Sequence, residues 1–374
     1  MSQRIHRQII VVGGGPGGSM TAWKLALAGC EVLLIEAKTF PRSKPCAGWI
    51  TCAAMQAMAF DATTYPHLLV PITRVAIGLH DGLHVTHWPN PVSYGILRRE
   101  LDDFLLQRAR AAGAEIWLGR RVDRVELGQD DALVVVGATQ VRGKWVVGAG
   151  GASCPVARAV GGKSFWQHRT MVASQTSETP IGIRQLENSG LGTGLPVLFP
   201  EPEADGYAWY FTKGDHLNIG VGALGGGPAI PMRRQRFLER LQRAGTLDPS
   251  WKLAPFIGHS YALWRGLRQP LAGRNHLLVG DAAGLARDFS GEGIGPAVRS
   301  GSLAANFILS QPSGDSEAND HTRQLARLQG HGLITKMGGI LEKLPQSFRR
   351  TLVESLCRSP WLRRRWVLEK AFLG

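Results

Sequence analysis

Residues 41–50, PRSKPCAGWI, set Cys46 beside a small-residue bend, with Arg42 and Lys44 just upstream. Three chemistries fit such a cysteine. It can be a thiol that gives up a proton, because nearby cations favour the thiolate. It can ligate a metal, or simply fill a tight bend. The metal reading lacks companions, since only Cys52 is near, the spacing is not CxxC, and the five cysteines (Cys30, Cys46, Cys52, Cys154, Cys357) are scattered. His80, His84 and His87 would suit a metal on a helix, but Asp81–Gly82 and the surrounding β-branched residues predict a hairpin with His80 and His84 on opposite sides of a bend. No metal is expected, and no G-x-S-x-G nucleophile elbow occurs.

A second chemistry begins near the start of the chain. Residues 8–36, QIIVVGGGPGGSMTAWKLALAGCEVLLIE, read as a strand, a glycine cluster, a helix and a second strand. Gly13, Gly15 and Gly18 fit G-x-G-x-x-G with Pro16 and Gly17 inside the turn, and Glu36 closes the second strand. In that context the glycines let the backbone approach a pyrophosphate at a helix N-terminus, while the carboxylate accepts ribose hydroxyls. The motif alone does not separate NAD from FAD. Residues 275–308 do: a strand ends at Gly280–Asp281 and a glycine-rich helix start follows, through Gly291, Gly293 and Ile294. The acid can hold ribityl hydroxyls, and the helix start can face the flavin edge where negative charge gathers on reduction.

These segments resemble FAD-dependent enzymes of the p-hydroxybenzoate hydroxylase superfamily. The resemblance implies that Asp281 meets the ribityl chain, that Arg98, leading the helix ILRRELDDFLLQRARAAGAEI, touches the FAD, and that Arg42 belongs to the cofactor set. A surface ion pair with Asp102 is the alternative for Arg98. Gly151 stands where the intermediate DG motif has aspartate, which weakens a nicotinamide role for that segment. A further G-x-G-x-x-G at Gly220, Gly222 and Gly225 follows a strand but reads as running into prolines rather than a helix, so no second nucleotide site is expected.

Within the superfamily, residues 206–224 read as a hairpin with Tyr207, Trp209 and Phe211 on one face and a turn at Lys213–Gly214–Asp215. The stretch is similar to the Y-x-W-x-F-P-K signature of the geranylgeranyl reductase family, with Thr212 replacing proline. KPCAGWI resembles that family's K-P-C-G-G segment, and FSGEGIGPAVRSG resembles another of its motifs. The likeness runs over residues 5–310. It implies hydride transfer from reduced flavin N5 to an isoprenoid double bond, with Cys46, Tyr207 and Trp209 at the reacting end. The rival reading is an FAD-dependent monooxygenase of an aromatic or peptidyl substrate; a halogenase would want a W-x-W-x-I-P segment.

The expected fold class is α/β. A Rossmann-like FAD-binding lobe (1–70, 95–162, 268–312) interleaves with an antiparallel sheet forming the substrate lobe (71–94, 163–267), and a helical region follows (313–374). Composition fits a folded chain, 44% hydrophobic and 19% charged, with no apolar stretch long enough for a membrane span. Scattered cysteines suit a reducing, cytoplasmic setting. The net charge of +14 is concentrated late: eight Lys/Arg against Glu354 and Glu369 follow from Lys343 onward, interleaved with Phe348, Trp361, Trp366 and Phe372. That pattern suits basic helices with apolar anchors, packed on the body or lying peripherally on the inner membrane face. No nucleic-acid module accompanies the charge. The expected partners are an apolar or lipid substrate and NAD(P)H or a reductase as transient electron donor.

Overall fold

The computed structural model describes residues 3–167, 169–225, 227–266, 271–310, 321–325 and 344–373. Strands are numbered in chain order. The first sheet runs β8 (Glu115–Trp117), β2 (Val32–Ile35), β1 (Gln3–Val12), β11 (Thr139–Gly148), β10 (Ala132–Val136), β9 (Arg124–Leu127). The end of β11 also pairs in parallel with β17 (His276–Leu278). Pairs among β8, β2, β1 and β11 are parallel, as expected where crossover helices cover the sheet.

The pleat of β1 explains that cover. Ile9 and Val11 face one core with residues of α1 (Pro16–Leu27) and the C-terminal end of a long helix at Ile294–Leu309. Ile10 and Val12 face a second core containing Val156 and Ala157. All four β1 side chains are at most 4% exposed. Period-2 alternation with both faces apolar gives a continuous hydrophobic run, which is how the sequence reads.

The second sheet runs β16 (Ile257–Ala262), β12 (Met171–Pro180), β15 (His216–Leu224), β14 (Gly206–Lys213), β13 (Val197–Pro200), β5 (Arg74–Leu79), β6 (Gly82–His87). It is antiparallel except at β5–β13, which pair in parallel. The expected antiparallel sheet thus carries one parallel pair: more than a hundred residues separate the two strands, so no hairpin dictates their direction. A small third sheet, β3 (Trp49–Thr51), β7 (Ser93–Gly95), β4 (Val70–Ile72), was not foreseen from sequence.

Helices after α1 are α2 (Cys52–Ala57), α3 (Arg98–Ala111), α4 (Pro155–Gly161), α5 (Ile183–Asn188), α6 (Ile230–Arg243), α7 (Ile294–Leu309) and α8 (Gln346–Arg358), before a wide-turn helix at Arg363–Phe372. A helix does follow the late glycine motif, contrary to the sequence reading. Pro231 sits in the first turn of α6, where a missing N–H costs nothing. Gly220 and Gly222, however, lie inside β15 rather than at a strand-to-helix turn. His80 and Asp81 form the bend between β5 and β6, with His84 on the returning strand.

Candidate functional site

One cavity of about 930 Å³ lies between the carboxyl ends of the first sheet and the face of the second. Gly15, Pro16, Gly17, Glu36, Arg42, Cys46, Arg98, Tyr207, Trp209, Gly280, Asp281, Gly291, Gly293 and Ile294 all line it. Gly13 and Gly18 do not; they shape the turn from beneath. Gly13 has φ +111°, and a Cβ there would fall 2.5 Å from the Ala149 carbonyl oxygen, while one on Gly18 would fall 1.9 Å from the Gly13 oxygen. Only bare backbone fits this crossing of strand and helix.

Gly15 behaves oppositely: nothing lies within 4 Å of where its Cβ would be. No side chain caps the α1 N-terminus, so its first N–H groups open on the cavity. Glu36 is 8% exposed and accepts the Gly14 N–H (2.7 Å) and the Lys38 N–H (2.9 Å). Across the cavity Asp281 lies in a tight turn just ahead of α7, its Oδ2 3.6 Å from His259 Nε2. Burial works against the Asp281 charge, but His259 and Lys44 outweigh it and hold the carboxyl below its usual range. Open space above a glycine turn, an uncapped helix start and an ionised acid at the opposite strand end fit a dinucleotide with a ribityl linker.

Between these two ends sits a buried charge cluster. Asp102 has no exposed surface and accepts Arg98 Nε (2.8 Å) and Nη2 (2.9 Å), with Arg42 Nη1 3.1 Å away. The Arg98–Asp102 pair considered from sequence therefore forms, yet it is interior rather than on the surface, because α3 buries its first turn beneath the cavity. Burial alone would lower the Arg98 pKa, but Asp102 and the Cys46 sulfur more than offset it, and the guanidinium stays charged. Here too sequence misled. Arg42 turns to Asp102, and Lys44 Nζ lies 3.3 Å from His259 Nε2 with its pKa pulled down by burial, so the cation coupled to Cys46 is Arg98.

The apolar half of the cavity is walled by β14. Tyr207, Trp209 and Phe211 share one face, as their alternation predicts, while Tyr210 faces the opposite core. The Tyr207 hydroxyl donates to the Ser290 carbonyl (2.5 Å), and burial pushes its pKa well up. Trp209 Nε1 donates to Asn218 Oδ1 (2.8 Å), and its ring lies where a Cβ on Gly220 would stand, 2.1 Å away. Gly220 of the late motif thus makes room for an aromatic ring.

Lys213, read from sequence as a turn residue, is instead the last residue of β14 and fully buried. Sequence reasoning passed over it and its partners Glu178 and Asn218. The available signal was a polar residue within each of two largely apolar strands, Lys213 in β14 and Asn218 in β15; Glu178 lies in the polar strand β12 and gave none. His259 and Tyr261 on β16 were missed as well.

The C-terminal segment is the other surprise. Of its four aromatic anchors, Phe372 stacks on Trp49 (5.9 Å between ring centres) and meets Tyr207 edge-on (5.4 Å), and Trp366 lines the cavity. Only Phe348 and Trp361 are exposed, at 56% and 65%. Several of its cations are used internally: Arg363 is buried and donates to Thr86 Oγ1 (3.0 Å) and the Cys357 carbonyl (2.7 Å), and Arg358 Nε pairs with Asp81 (3.2 Å). Among the described residues no helix is long and apolar enough to cross a membrane.

A family model described as an FAD binding domain matches residues 6–302. A menaquinone reductase of Mycolicibacterium smegmatis is 31% identical over 329 residues, 81% of this chain and 76% of that protein. Digeranylgeranylglycerophospholipid reductase 1 of Methanopyrus kandleri is 29% identical over 314 residues, 80% of each. A geranylgeranyl bacteriochlorophyll reductase-like protein from Thermoplasma acidophilum superposes with a TM-score of 0.77 at 20% identity, covering 95% of this chain and 92% of that one. With the cofactor half of the cavity, these matches make the chain a member of the FAD-binding-domain family, an FAD-dependent oxidoreductase of the geranylgeranyl reductase group.

Proposed function

We propose that this protein saturates carbon–carbon double bonds of an isoprenoid chain. The observation that carries the reading is that the dinucleotide end and an aromatic-walled apolar end belong to one cavity, with Cys46 and Arg98 among its lining. Relatives named for reduction of menaquinone and of a digeranylgeranyl phospholipid support an apolar, prenylated substrate. Glu36 and the α1 N-terminus would hold the ribose and pyrophosphate of FAD, and Asp281 its ribityl chain. When bound and reduced, FAD supplies the hydride. An isolated alkene is a poor hydride acceptor, so the protein must exclude water and place a proton at the second carbon. Tyr207, Trp209 and Phe372 supply the dry wall. Cys46 is the proton holder, with the Arg98 charge beside its sulfur.

The lobe division proposed with it assigns 1–70, 95–162 and 268–312 to the cofactor, 71–94 and 163–267 to the substrate, and 313–374 to a helical region, of which 313–320, 326–343 and 374 lie outside the described residues. NAD(P)H or a partner reductase visits transiently as donor, and Trp361 and Phe348 with the adjoining cations rest on an anionic membrane surface. The test is to reduce the holoprotein with NAD(P)H or with dithionite, then follow reoxidation by a prenyl lipid and by oxygen in parallel. Substrate-dependent oxygen uptake would overturn the reading in favour of a monooxygenase.

A further inference from the structure

Three consecutive carbonyls of the Cys46 loop are tied down, two of them by the second sheet. Asn218 Nδ2 donates to the Cys46 carbonyl (3.0 Å), Lys213 Nζ to the Ala47 carbonyl (2.9 Å), and the Ile96 N–H to the Gly48 carbonyl (2.7 Å). Lys213 Nζ also donates to the Ile96 carbonyl (3.0 Å), two residues before Arg98, and is ion-paired with Glu178. Glu178 Oε1 accepts Asn218 Nδ2 as well (3.1 Å), and Asn218 holds Trp209.

Lys213 reaches this position along a channel that excludes side chains. A Cβ on Gly48 would lie 2.4 Å from Nζ, and one on Gly95 would lie 3.0 Å from Cγ. A charged group with no exposed surface is costly unless every proton finds a partner, and here the three partners are two loop carbonyls and one carboxylate. The Gly48 N–H in turn donates to Cys46 Sγ (3.3 Å), which sets the thiol's direction.

We propose that Lys213, with Glu178 and Asn218, is the positioning residue of the site: it locks the Cys46 loop and the start of α3 to the strand carrying Tyr207 and Trp209, fixing the thiol against Arg98 and the cavity. Its effect on turnover rests on the reading of Cys46 as proton holder; the locking itself does not.

The test uses FAD-loaded Lys213→Met and follows iodoacetamide alkylation of Cys46 by peptide-resolved mass spectrometry, with Cys30 as internal control. A released loop is expected to alkylate on the order of tenfold faster, with FAD affinity within about threefold of wild type and kcat for a prenyl substrate lowered more than KM is raised. An unchanged alkylation rate overturns the proposal. Faster alkylation with unchanged kcat leaves the lock standing and removes Cys46 from the reaction. Should the single variant fold poorly, Lys213→Met/Glu178→Gln removes both members of the ion pair. Thermal stability recovered while alkylation stays fast identifies positioning. Stability and slow alkylation recovered together mean that the lysine only balanced a buried charge, and overturn it.

Discussion

Cys46 is the proton holder in the proposed reaction, and its setting shows why neighbours in sequence are poor guides to neighbours in space. Arg42 and Lys44 flank it along the chain, but in an extended loop they reach Asp102 and His259, leaving Arg98 as the coupled charge. Cys46→Ser is expected to keep FAD affinity and lose roughly 100-fold in turnover, the usual scale for a lost general acid; steady-state kinetics on the FAD-loaded variant checks this, and wild-type turnover would return the loop to packing. Trp209→Ala removes a buried ring and its bond to Asn218, so about 3–5 kcal/mol of stability should go with the turnover. Chemical denaturation measures the first and kinetics the second. The glycine turn at Gly13–Gly18 was legible because its constraint is local backbone approach. Lys213 was not, because its partners Ala47, Ile96 and Glu178 come from three distant segments.

At the scale of elements, the parallel core strands and the aromatic face of β14 followed directly from periodicity, while connections and caps did not. The late glycines read as a motif without a helix, yet α6 follows them and Gly220 serves Trp209. The strand β17 carries its own pH signature. Burial pushes His276 down from 6.5 to about 4, and its Nδ1 lacks a partner. Its stability contribution is complete above pH 6.5, where both folded and unfolded forms are neutral. As pH falls toward about 4 the unfolded chain gains the proton first, so about 3 kcal/mol is lost over that window. Thermal melts of His276→Phe should show a shallower acid-side slope than wild type; identical slopes would remove His276 as the cause. Arg363 is one of the residues that tie the C-terminal segment to the body, with Arg358, Glu369 and Phe372. Arg363→Leu should raise hydrogen exchange across residues 346–373 without altering exchange in β1 or β11.

For the whole molecule, the charge concentrated after Lys343 divides into two parts. Part of it ties the cap to the β5–β6 hairpin, and part surrounds exposed Trp361 and Phe348. Cosedimentation with anionic vesicles that weakens in Trp361→Ser, and disappears with neutral lipid, is the expected outcome for the outer face. The inner face of the same segment lines the cavity, so a region whose sequence resembles the family least supplies part of its apolar wall. The most direct measurement is a single anaerobic turnover of dithionite-reduced holoprotein with a prenylated lipid, read by flavin absorbance and product mass. Reoxidation of the flavin in step with a product heavier by two hydrogens is the expected result. A flavin that stays reduced until oxygen is admitted, with a product heavier by one oxygen atom, would contradict it.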